Sequence, residues 1–356
     1  MKIKINYLLG KMNSQALGVE RISTKLTKEL AKRIDFKVYS YKIPINLPLI
    51  RLLYIYLFYP LKIFFSLNKS HEIIHIYSQG YAHLAYSLPK DKLIITCCDL
   101  IPLIIKGKNF IYNNLMTYTF SGLKKASKII SISNSTKNDL IRYFHIPEEK
   151  IIVLSPRIDK KFRRLDKKKI DKIKNSLFPE KKIILYVGSY LPNKNLLVIL
   201  KAFQKIKLKI KNVTLVIVNE KNKLPLEYKM LINDLNIEKD VYFTGYISDQ
   251  KLVELYNVAD IFLFPSLYEG FGLPPLEAMA CGCPVITSNT SSLPEVVGDA
   301  GIMVDPKDYN EIAKKDILLL KNQEIRDTMI NKGLKQVEKF RDNPSEKVLD
   351  VYKGLI

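Results

Sequence analysis

Short apolar runs recur along the whole chain, and most do not alternate with polar residues. In the first half they are KIKINYLLG (2–10), FKVYSY (36–41), EIIHIYS (72–78), KLIITCC (92–98), KIISIS (128–133) and KIIVLS (150–155). Unbroken β-branched runs of this length suit strands covered on both faces, as in a parallel sheet between two helical layers. Helical periods separate several of them, and GVERISTKLTKELAKRI (18–34) reads as an amphipathic helix. Strand and helix in alternation predict a doubly wound α/β domain.

A second series of the same kind begins at KIILYVGS (182–189). It continues through a helix over 194–210, VTLVIVN (213–219) and DVYFTGYI (240–247), then a helix from Ser248, a capping residue. DIFLFPS (260–266), PVITSN (284–289) and GIMVDP (301–306) are further strands, and helices dominate from there on. The basic stretch RIDKKFRRLDKKKIDKIK (157–174) interrupts the pattern and reads as a connector. The expected division is therefore an N-terminal domain over 1–164, a C-terminal domain over 165–340, and a helix over 341–356 that packs back on the first. Two such domains facing each other would form a cleft lined by strand C-terminal ends, the usual ligand location in open α/β sheets.

The most apolar stretch is INLPLIRLLYIYLFYPLKIFFSL (45–67). Arg51, Lys62, Pro48 and Pro60 interrupt it, which argues against a membrane span. The expectation is a helix of the N-terminal core whose exposed aromatic and basic face suits a membrane interface.

Charge is unevenly spread. Of the net +22, residues 1–150 hold +14 (23 Lys and Arg against 9 Asp and Glu), and the connector 157–174 supplies most of the rest. A basic N-terminal half beside a nearly neutral C-terminal half predicts weak association with an anionic membrane surface. Nucleic acid is not the expected partner, since no reader motif accompanies the charge. The four cysteines, Cys97-Cys98 and Cys281-x-Cys283, lack metal-ligand spacing and read as buried thiols in a reducing compartment. MKIKINYLLGKM is too short in its apolar run for a signal peptide, so a cytoplasmic location is expected.

The densest chemistry lies in PSLYEGFGLPPLEAMACGCPV (265–285). A strand ending at Pro265 leads into a turn with Gly270 and Gly272. Pro274 and Pro275 fit the first turn of a helix, and Gly282 fits its left-handed cap. This presents amides at a helix N-terminus, a site for anionic oxygen, between two carboxylates, Glu269 and Glu277. Carboxylates beside an anion site are best spent on hydroxyls. The ligand that fits is a phosphate flanked by polyols, a nucleoside-diphosphate sugar. Glu277 would accept from ribose, Glu269 from the sugar, and the amides of Phe271, Gly272 and Leu273 would meet the diphosphate.

With the flanking residues 245–306, this loop resembles the donor-site signature of family-4 retaining glycosyltransferases, which have the GT-B fold of two Rossmann-like domains. YVGSYLPNKNL (186–196) is similar to that family's glycine loop and phosphate-binding lysine, and FHIPEEKIIVLSPRID (144–159) to the stretch before its linker. The resemblance implies that Gly188 and Ser189 line the donor, that Lys194 offsets the diphosphate charge, and that Glu269 stabilises positive charge developing on the sugar. Gly270 and Glu277 complete the donor side. Gly18, Cys98 and Asp99 fall on the acceptor side. Three departures stand out: Ser189 and Asn193 occupy slots where the family often has Arg, Cys98 replaces the histidine of a His-Asp pair, and the linker lacks its usual glycine.

The implied activity is metal-independent, retaining, front-face hexosyl transfer to a glycan or lipid-linked acceptor, with GDP-mannose marginally favoured as donor. No Asp-x-Asp motif occurs, and neither metal nor other cofactor is expected. The alternative is a catalytically silent scaffold that keeps the fold and binds nucleotide sugars.

Overall fold

The computed structural model describes residues 3–11, 30, 33–41, 48–67, 69–105 and 109–356. The chain forms two units, Met1–Pro156 with Asn343–Ile356, and Arg157–Asp342.

The first unit is built on a parallel sheet of β1 (Ile3–Lys11), β2 (Ile34–Tyr41), β3 (Ile73–Ile76), β4 (Leu93–Cys97), β5 (Lys128–Ser131) and β6 (Ile151–Val153), in the order β2-β1-β3-β4-β5-β6. The second is built on β7 (Lys182–Val187), β8 (Val213–Val218), β9 (Val241–Phe243), β10 (Ile261–Phe264), β11 (Val285–Ser288) and β12 (Ile302–Val304), ordered β12-β11-β10-β7-β8-β9. Every predicted run therefore became a strand. Continuous apolar sequence found cover on both sides: all of β3, β4 and β10 is buried. The expected helix over 18–34 lies almost wholly outside the described residues.

Each sheet reverses its winding once. In the second unit the reversal falls between β7 and β10, the strand order of a dinucleotide-binding Rossmann sheet.

The stretch 157–174 is not a free connector. Lys167–Leu177 is a helix capped by the Asp166 side chain, which accepts from the Lys169 N–H. Lys174 reaches both oxygens of the buried Asp260 at 3.1 and 3.0 Å. Phe162 packs edge-on against Tyr256, so the second unit begins at Arg157 rather than at 165. Like charge along 157–174 hid an amphipathic element with one buried ionic anchor. At the other end, Ser345–Lys353 is a helix of the first unit, where Val348, Leu349 and Tyr352 join Ile5, Tyr7 and Ile94 in one core. Tyr352 Oη lies 2.7 Å from His75 Nδ1, and Thr96 holds the other ring nitrogen at 2.8 Å.

The apolar stretch is helical from Pro48 to Leu67, with a π-helical turn at Tyr54–Phe58. Among its described side chains only Tyr59, Ile63 and Leu67 are buried, and they belong to the core. Ile50, Leu53, Leu57, Phe58, Leu61 and Phe65 are exposed. A core helix with a few exposed aromatics was expected; instead, most of its apolar surface faces outward. The later helix Phe110–Ser121 adjoins it through a 2.8 Å bond between Tyr56 and Thr119 hydroxyls, and likewise exposes Phe110, Ile111 and Tyr118.

Candidate active site

The second unit carries the candidate site at its winding reversal, where the loops after β7 and β10 leave adjacent strand ends. These loops are stitched together. Leu267 N–H donates to Asn193 O at 2.8 Å, and Asn193 Nδ2 to Tyr268 O at 3.2 Å. Asn195, with φ +60°, donates from Nδ2 to both Pro265 O (2.9 Å) and Pro306 O (2.6 Å). Asn tolerates this left-handed backbone, and its short amide satisfies carbonyls that no strand partner reaches. Gly188 is required by close approach: a Cβ there would stand 2.6 Å from Tyr186 Oη. That hydroxyl donates to Ser189 O at 2.8 Å, and burial together with Glu269 raises its pKa, so it stays a donor.

These loops bring Lys194 and Glu269 into direct contact. Lys194 Nζ donates to Glu269 Oε1 at 2.6 Å and Oε2 at 2.9 Å, and also stands 5.3 Å above the Phe264 ring. Only 19% of the lysine side chain and 9% of the glutamate remain exposed. A nearly dry, two-oxygen ion pair at a strand terminus is a poised charge system, since an incoming anion must compete with the carboxylate for the ammonium.

A third loop holds Glu269 from behind. Ser291 Oγ accepts from the Glu269 N–H at 2.9 Å, while Ser292 Oγ donates to Glu269 O (3.0 Å) and Phe271 O (2.5 Å). Thr290 Oγ1 donates to Leu267 O at 3.1 Å. Sequence reasoning missed these residues; the polar run TSNTSS (287–292), which begins in the last two residues of β11, was the signal available for them.

The helix after the loop spans Leu273–Ala280, with Gly272 at its N-cap and φ +120°. A Cβ on Gly272 would come within 2.8 Å of Leu293 Cδ2, so both conformation and space demand glycine. Pro274 and Pro275 carry no N–H, Leu276 N–H donates to Gly272 O, and the Glu269 N–H is taken by Ser291, so the amides left for a ligand at this end are those of Phe271, Gly272 and Leu273. The expected set of amides is thus narrower than a full helical turn. Gly282, φ +76°, follows the helix end as expected. Glu277, within the helix, is held apart from the ion pair's bonds: its Oε2 accepts from Tyr256 Oη at 3.2 Å.

In the first unit, Cys98 and Asp99 follow β4. Gln79 Oε1 accepts from the Cys98 N–H at 3.0 Å, and Asp99 Oδ1 from the Ile101 N–H at 3.0 Å. The Cys98 thiol is buried and its pKa raised, first by burial and then by Asp99, so it is a neutral thiol. All four cysteines are free and buried. Gly18 lies outside the described residues.

Two family models divide the chain between them. Glycosyltransferase Family 4 matches residues 17–162, and Glycosyl transferases group 1 matches 167–336. Among solved structures, Anabaena Alr3699/HepE in complex with UDP and glucose superposes with a TM-score of 0.79 at 16% identity, over 99% of this chain and 100% of that one. The chain is a GT-B relative of the glycosyltransferases. The Escherichia coli serotype-specific mannosyltransferase WbdA is 29% identical over 69% of the GT-B chain, and the Escherichia coli O-antigen chain mannosyltransferase B is 31% identical over 65% of it. The chain spans 32% and 62% of the lengths of those two relatives.

Proposed function

We propose that this GT-B protein is a retaining hexosyltransferase that uses a nucleoside-diphosphate sugar. The observation that carries the reading is the Lys194–Glu269 pair, held between two stitched loops at the sheet reversal. Lys194 offsets the diphosphate, with the amides of Phe271, Gly272 and Leu273 beside it. Gly188 admits backbone close to the donor, with Ser189 and Gly270 beside it, and Glu277 takes the ribose. Glu269, released from the ammonium as phosphate arrives, faces the sugar. Transfer is front-face: the bond from C1 to the phosphate oxygen breaks, the acceptor oxygen bonds C1 on the same side, and the acceptor proton passes to the departing phosphate. Lys194 stabilises that phosphate, and Glu269 supplies electrostatic stabilisation to the sugar. No step calls on a metal. Mannose from GDP-mannose is the favoured donor because two relatives are named mannosyltransferases.

Gly18, Cys98 and Asp99 are assigned to a glycan or lipid-linked acceptor. The protein works in the cytoplasm, in loose contact with an anionic membrane. The exposed apolar faces of 48–67 and Phe110–Ser121, in a half carrying +14, support this, and the burial of Tyr59, Ile63 and Leu67 favours lying on a bilayer over spanning it. Thermal shift against GDP-, UDP-, dTDP- and ADP-sugars fixes the donor, with a base-specific rise expected. Glu269→Ala should keep donor binding and lose transfer; absence of both binding and turnover across the panel refutes the reading. Co-sedimentation with anionic vesicles at low salt should weaken with Leu57→Asp/Phe58→Asp, and no wild-type binding removes the membrane component.

A further inference from the structure

We infer that Tyr186 and Asn219 are positioning residues that turn the backbone amides of Ser189 and Tyr190 toward the diphosphate. The inference deepens the nucleoside-diphosphate reading and rests on it. Ser189 supplies no cation, so at this edge of the site the main chain has to meet the anion. Two successive carbonyls of the loop after β7 are held by protein side chains. Asn219, which follows β8, donates from Nδ2 to Gly188 O at 3.0 Å. Tyr186 Oη donates to Ser189 O at 2.8 Å. Each holder is itself fixed. Tyr186 is fully buried on β7, and its phenol fills the space that a side chain at Gly188 would need. Asn219 Oδ1 accepts from the Glu220 N–H at 2.7 Å, and Asn219 O accepts from the Gly245 N–H at 3.1 Å.

The direction of the amides follows from peptide geometry. In a trans peptide the C=O and the N–H point to opposite sides, and no peptide among the described residues is cis. β7 lies between β8 and β10, so a Gly188 carbonyl drawn to the β8 side turns the Ser189 N–H to the β10 side. On that side Glu269 meets Lys194. The Ser189 carbonyl faces the buried phenol, so the Tyr190 N–H faces away from it, outward from the loop. Neither N–H has an acceptor among the described residues, and both residues are partly exposed, so an anion can reach them. The phenol also stands within electrostatic reach of Glu269, which after burial is the next influence raising its pKa. Amides oriented in advance need no rearrangement when phosphate arrives, and they keep carbonyl lone pairs from facing it. Freed of its holder, either peptide can flip and present the repulsive end.

The test measures binding of the full chain to GDP and guanosine, and to UDP and uridine, by calorimetry. The wild type should favour the diphosphate of its preferred base by about tenfold or more, the usual weight of hydrogen bonds to a charged group. Tyr186→Phe, which keeps the ring under Gly188, should cut that ratio by roughly three- to tenfold while leaving the nucleoside affinity nearly unchanged. Asn219→Ala should do the same. Replacing Tyr190 by its α-hydroxy acid, which exchanges one N–H for oxygen and keeps the side chain, removes an amide directly and should lower the ratio as far. Lys194→Met should lower it too. A general loss of stability would lower both affinities together and leave the ratio intact, so the ratio separates positioning from damage. Any of the first three changes that leaves the ratio at the wild-type value overturns the role of the group it removes. If all three do so while Lys194→Met lowers the ratio, the inference is overturned and the donor reading survives. If the wild type binds no nucleotide, or Lys194→Met leaves the ratio unchanged, the diphosphate is not held here and both fall.

Discussion

Replacing Glu269 by Gln tests the poised ion pair directly. The substitution keeps volume and a neutral acceptor but leaves the Lys194 ammonium, mostly buried, without its counter-charge. Breaking a buried pair from one side costs about 3–5 kcal/mol. Lys194 keeps 19% of its side-chain exposure, so the lower end applies, about 3 kcal/mol. For a unit the size of Arg157–Asp342, each kcal/mol moves Tm by about 2–4 °C, giving a fall of roughly 6–12 °C. Lys194→Met alone should cost a similar amount, because it strands the carboxylate. The double variant should recover most of the loss, since no charge is then left unpaired.

The same arithmetic predicts a reversal on adding ligand. In the wild type a nucleoside diphosphate must compete with Glu269 for Lys194, whereas in Glu269→Gln the ammonium is uncommitted. If affinity rises about tenfold, ligand stabilisation at saturation grows by about 1.4 kcal/mol. GDP or UDP should therefore raise Tm further in the variant than in the wild type, by some 3–6 °C. Differential scanning fluorimetry with and without nucleotide reads both effects. Additive losses in the double variant, together with equal nucleotide shifts in wild type and Glu269→Gln, would refute the coupling.

Three further outcomes are expected. Gly272→Ala, at φ +120° and with its new methyl 2.8 Å from Leu293, should cost about 1–3 kcal/mol in urea denaturation and weaken nucleotide binding; a neutral result would mean that the loop relaxes freely. His75 is held neutral by burial, its pKa lowered to about 3, so it contributes stability above its unfolded value of about 6.5 that is lost as pH falls toward 3. The loss between pH 7.5 and 5 should reach about 2 kcal/mol and vanish in His75→Gln, as read from urea midpoints across pH. Asp316 has the opposite sign: it is fully buried, neither carboxylate oxygen has a hydrogen-bond partner, and desolvation raises its pKa. Its penalty grows as pH climbs above the unfolded value of about 3.9, and Asp316→Leu should stabilise the chain at pH 7 by about 2 kcal/mol or more, with destabilisation as the contrary result.

Which features the sequence disclosed follows from how local their causes are. A strand covered on both faces must be apolar at every position, so β3, β4 and β10 could be read from runs such as IIHI, LIITC and IFLF without any partner. Gly272 of the turn and the cap at Gly282 were equally legible, because both hold a positive φ that glycine adopts without penalty. Glu269 and Lys194 were nominated separately, yet their bond depends on β10 lying beside β7, a pairing across 75 positions that no local pattern encodes. The supports Asn195, Ser291 and Ser292 stayed hidden for the same reason: each holds a carbonyl or amide contributed by a distant loop. The 48–67 helix was misjudged on a different ground. Composition reports how apolar a segment is, whereas exposure depends on what covers it, and among the described side chains of this helix only Tyr59, Ile63 and Leu67 are fully buried, with Tyr54 and Ile55 partly covered beside them. The exposed remainder is therefore the feature with least claim to a purely structural role, because a soluble surface gains nothing from showing Phe58 and Phe65 to water.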